Sequence, residues 1–123
     1  MNQTSTEICA AIKSELIVDV NPNSGVELTE RLSRLVSLLP LSAFNVAQTE
    51  RSVNEATANV VKRSTETNAT RLKIMINGAT ADERFWLRYA EAQAKELHYS
   101  IEATRTLISY LKNELNNLKN EQS

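Results

Sequence analysis

Apolar residues recur along this chain at steps of three and four, the period of a helix with one buried face. Ile8, Ala11, Ile12 and Leu16 share one face of a helix expected over about 5–18. Leu28, Leu32, Leu35 and Leu39 form a stripe on a second, over about 25–39, with Val36 beside it. A third helix is expected over 41–77, where Val46, Val53, Val60, Thr67 and Ile74 recur every seven residues among many Ala, Ser, Thr and Asn. The fourth, over 81–120, carries the most regular pattern. Leu87, Ala94, Ile101, Ile108 and Leu115 occupy heptad position a, and Ala90, Leu97, Thr104, Leu111 and Leu118 occupy d. Nine of these ten are apolar, which is the sequence signature of a coiled-coil seam.

The breakers fall between these stretches. Asn21-Pro22-Asn23-Ser24-Gly25 is a turn cluster, Pro40 divides the second helix from the third, and Gly78 follows Asn77. Thr4 with Glu7, Ser24 with Glu27, and Thr80 with Glu83 each have capping-box spacing. Gly78 suits a left-handed helix end, so a turn at 78–80 is expected to fold two long helices into an antiparallel hairpin.

The expected fold class is therefore all-α. Two short helices in 1–40 pack on a long, coiled-coil-like antiparallel hairpin spanning 41–123. The seam of the last helix is richer in leucine and isoleucine than two short helices can cover. Assembly into a helical bundle oligomer is expected to follow, with Leu87, Leu97, Ile101, Ile108, Leu111, Leu115 and Leu118 as the seam toward a second copy or a helical protein partner.

Composition narrows the function classes. The chain has 123 residues with 2 Gly, 2 Pro and 1 Cys, so it holds neither a turn-rich β fold nor an internal disulfide framework. One Cys and one His do not make a zinc site within a single chain. No apolar run reaches the ~18 residues of a membrane span. With no basic-then-apolar leader at the N-terminus, a cytoplasmic location is expected. Net charge is -1, and the basic excess is confined to 41–78, which holds five bases against three acids.

Candidate chemistry is sparse. Carboxylates lie at helix-surface spacings, as in Glu91/Lys95 and Glu102/Arg105. His98 lacks a nucleophile and an orienting acid, and Cys9 lies beside the apolar face of the first helix. There is no Gly-rich phosphate loop. The expectation is no enzyme, no cofactor, no metal and no small-molecule substrate. One cluster points elsewhere. Arg84, Trp86, Arg88 and Tyr89 interleave bases with aromatics, and a turn at 78–80 would bring Arg71 and Lys73 to the same tip. Two readings are open: Phe85 and Trp86 bury against the short helices and lock the tip, with Asp82 and Glu83 offsetting the arginines, or the bases and aromatics follow a single-stranded nucleic acid and stack its bases.

A long helix rich in small residues, a short turn and a second long helix carrying Arg105, Ser109, Lys112 and Glu114 together resemble small helical-hairpin proteins of bacteriophages, of the recombination-mediator type. The resemblance covers about 41–115. It implies a phage or mobile-element origin, a bacterial host cytoplasm, and single-stranded-DNA binding in recombination or replication. Three readings are open: a helical assembly protein, a single-strand-binding accessory protein, and a small phage inhibitor of a host protein.

Overall fold

The computed structural model describes residues 3–122. They form five helices and no strand: α1 (Gln3–Leu16), α2 (Gly25–Ser37), α3 (Leu39–Arg63), α4 (Ala69–Ala79) and α5 (Ala81–Gln122). The all-α class is as expected. No helix among the described residues is long and apolar enough to cross a membrane.

The helix expected over 41–77 is two helices. Its interruption is built from side chains that compete with the backbone for hydrogen bonds. Ser64 Oγ accepts from the N–H of Glu66, Glu66 Oε1 from the N–H of Asn68, and Asn68 Oδ1 from the N–H of Arg71. Asn68 thereby caps α4. This segment contains no Gly or Pro, so it carries none of the usual marks of a break.

The expected turn at 78–80 is likewise not a reversal. Gly78 lies inside α4, and neither glycine of the chain has positive φ. Only Thr80 separates α4 from α5, and helical hydrogen bonds run through it: Thr80 N–H to the Ile76 carbonyl, and Arg84 N–H to the Thr80 carbonyl. The Thr80 hydroxyl donates to the Ile76 carbonyl at 2.8 Å instead of capping α5. The two helices meet end to end at a bend, and α4 leans on α3. The chain reverses at 64–68.

α2 and α3 are also joined end to end. Leu38 keeps helical dihedrals, with its N–H shared between the Leu35 and Val36 carbonyls. Pro40 sits in the first turn of α3, where its missing N–H costs nothing. The pair runs down α5 in the opposite direction. Residues near Gly25 lie beside Leu115, Leu35 packs on Leu97 and Ile101, and Asn45 reaches the level of Gln93. At ~1.5 Å per residue α5 is about 63 Å long, and it forms the spine against which the other helices pack.

α1 lies in the angle between α3 and α5. It begins at Gln3, so Thr4 stands inside it rather than ahead of it as a cap. The chain leaving α1 is met by Arg31 of α2, whose guanidinium donates to the carbonyl of Leu16, the last residue of the helix, and to that of Val18 just beyond it. A cation at that end also complements the helix dipole. Arg34 adds an ion pair to Glu15 at 3.0 Å. The middle of the molecule is therefore a three-helix bundle of α1, α3 and α5, joined by α2 at one end. Ile12, Leu28, Leu35 and Leu97 are the largest fully buried apolar side chains. Burying each is worth about 1.5–3 kcal/mol.

Candidate docking surface

The heptad of α5 divides into three stretches with different surroundings. In the middle, Ala90, Leu97, Ile101 and Thr104 are buried against the chain's own helices. Leu97 and Ile101 are core residues of the monomer and present nothing to a partner. Leu87 is half-buried near the α4 junction. Toward the C-terminus, Ile108 and Leu111 are half-buried against α2, whereas Leu115 is 63% and Leu118 53% exposed.

The cause is the extent of the covering helices. α1 ends at the level of Leu97 and Leu35, where Leu16 joins their cluster. Among the described residues, α5 beyond Thr104 has only α2 beside it, and α2 begins at Gly25 opposite Leu111 to Leu115. Two helices cannot enclose a seam. What they form is an open groove of about 440 Å³ lined by Val26, Thr29 and Glu30 of α2 and by Ile108, Leu111, Lys112 and Leu115 of α5. Val26 is 71% exposed at its edge.

Sequence reasoning found the α5 side of this groove and missed the α2 side. Val26 and Thr29 stand off the Leu28–Leu39 stripe, so only their placement against α5 marks them. The start of α2 is held by local bonds. Ser24 Oγ accepts from the Glu27 N–H, as its spacing predicts, while the Glu27 carboxylate accepts from the N–H of Asn21 rather than Ser24.

The core of α3 also departs from expectation. Its buried stripe is Ser42, Asn45 and Thr49. Val46, Val53 and Val60 are half-buried beside it, and Ile74, now on α4, is 65% exposed. Cys9 Sγ accepts from Asn45 Nδ2 at 3.3 Å, and the Cys9 carbonyl accepts from Gln93 Nε2 at 3.0 Å. One residue of α1 thus joins α3 and α5. Asn45 Oδ1 and Gln93 Oε1 are buried with no partner. Leaving such an acceptor unpaired costs about 1–3 kcal/mol, so this layer fixes the level at which three helices meet rather than adding stability.

The basic and aromatic residues are not gathered by a hairpin turn, because none exists at 78–80. Arg71 and Lys73 are exposed on α4, while Arg84, Trp86, Arg88 and Tyr89 lie on α5 beyond the bend. Arg84 is held at the junction, donating to Asn77 Oδ1 and to Thr80 Oγ1. Trp86 is half-buried, with Phe85 and Tyr89 edge-on to it at 5.2 and 5.7 Å between ring centres.

Among the described residues no three His, Cys, Asp or Glu side chains come together in a way that would hold a metal ion. At Tyr110 a hydrogen bond to Glu114 and that carboxylate's charge raise the phenol above its ordinary value of 10.0.

Comparison of the chain with protein-family models, with curated proteins and with solved structures returns no match.

Proposed function

We propose that this chain is a non-enzymatic helical assembly protein that works through the end of its α2–α5 pair. The observation that carries the reading is the heptad of α5. It keeps leucine at positions 115 and 118 after the chain's own helices have stopped covering it. A seam continued into solvent in register with a buried one is an apolar surface awaiting a helix. The adjoining groove, with Val26 and Leu111, enlarges that surface.

The test is the double variant Leu115→Asp with Leu118→Asp. Both side chains are exposed, so the helical content and the melting curve of the dilute protein should be unchanged. Association, read as molar mass by light scattering and as proteins retained from a cell extract, should be lost. A variant that keeps the wild-type mass and the wild-type set of retained proteins would refute the reading.

A further inference from the structure

The groove at the end of the α2–α5 pair has two unlike rims. The α2 rim carries Glu30, exposed, with Glu27 one turn before it. The α5 rim carries Lys112, exposed, with Lys119 two turns beyond. Between the rims the floor is apolar: Val26, Ile108, Leu111 and Leu115.

We propose that the occupant of this groove is the same groove of a second copy of the chain, related by a two-fold axis that runs along the groove between its two rims. This rests on the assembly reading above and names its partner. In a two-fold interface each patch faces itself, so residue i meets residue j and j meets i. A surface with one sign of charge repels its own copy. A surface with an acid on one rim and a base on the other is its own complement. The axis sets Glu30 of each copy against Lys112 of the other, and two ion pairs close over one shared apolar floor. Leu115, with only α2 and its own helix for company, then gains the neighbours of a four-helix bundle in place of a two-helix one. Charge pairs at such a rim contribute register and choice of partner more than raw affinity.

The rims supply a test that separates the proposal from any effect on folding. The variants Glu30→Lys and Lys112→Glu are made separately. In the first, positions 30 and 112 are both basic; in the second, both are acidic. Each alone repels its own copy and should show the 13.8 kDa chain mass by light scattering at concentrations where the wild type shows twice that mass. An equimolar mixture restores both ion pairs. The lysine introduced in the first variant meets the glutamate introduced in the second, and the unchanged Lys112 of the first meets the unchanged Glu30 of the second. The mixture should therefore recover the doubled mass, with a dissociation constant within about tenfold of the wild-type value. Circular dichroism of each variant confirms that the helices are intact, and Leu115→Asp gives a further monomeric variant that no mixing rescues.

A wild type that is monomeric at high micromolar concentration would overturn the proposal, as would a mixture that stays monomeric. Neither result would touch the broader assembly reading. That reading fails only if the Leu115→Asp, Leu118→Asp variant behaves as the wild type in both association and extract capture.

Discussion

Leu97 and Leu115 hold equivalent places in the heptad of α5, d and a respectively, and a sequence pattern treats them alike. The structure separates them: Leu97 is 0% exposed and Leu115 63%. Replacing each by alanine removes the same three carbons. At Leu97 the lost burial alone is worth about 2.4 kcal/mol, at ~0.8 kcal/mol per methylene. The cavity left against Leu35 and Ile101 brings the total to about 3–4 kcal/mol. For a chain of this length, with about 0.25 kcal/mol per kelvin of unfolding entropy, Tm should fall by about 12–16 °C. At Leu115 most of the side chain is already in water, so the loss should stay within about 0.5 kcal/mol, or about 2 °C. The assay is urea and thermal unfolding followed by circular dichroism at low micromolar protein, where association adds nothing to stability. The urea slope should match the wild type in both variants. Equal losses at the two sites, or a larger loss at Leu115 in dilute solution, would refute the assignment of an inner and an outer part of the seam.

Two further outcomes follow from particular contacts. Arg31→Met leaves the carbonyls of Leu16 and Val18 without their donor and should cost about 2–3 kcal/mol in urea unfolding, whereas Arg34→Met, which breaks a part-exposed ion pair to Glu15, should cost under about 1 kcal/mol; equal costs would remove Arg31 from its role as the cap of α1. α4 has no buried residue, so its amide hydrogens should exchange far sooner than those of α5 around Leu97; matched protection in the two segments would show that α4 is held by more than its contact with α3.

The helices were legible wherever a stripe of large apolar residues met a Gly or Pro boundary. The stripe on α2, and the buried part of α5 from Ala90 to Thr104, could be read in this way. The departures cluster where polar side chains build the structure. The reversal at 64–68 is made by Ser64, Glu66 and Asn68 bonding backbone N–H groups, and no breaker residue announces it. Gly78 invited a turn that the helical bonds through Thr80 overrule. The buried stripe of α3 is Ser42, Asn45 and Thr49, whose i, i+3, i+7 spacing was visible, yet polar residues at that spacing ordinarily face water. Of the candidate site, the α5 leucines were readable and the α2 rim was not, because which helix lies beside Leu111 depends on where α1 stops.

The bond between the Cys9 carbonyl and Gln93 joins residues 84 apart in the chain, and that separation bears on how the protein is made. Translation proceeds at about 5–20 residues per second, so α1 waits about 4–17 s after its own synthesis before its partner on α5 has even been built. During that time Ile8 and Ile12 have no spine to pack against, and α2 and α3 wait for the same helix over shorter stretches of chain. Helical proteins usually finish folding through near neighbours; this one completes its core only when α5 arrives. A nascent chain stalled before Leu97 has the contacts among α1, α2 and α3 but lacks the helix all three share, so their common core closes only once α5 has been made.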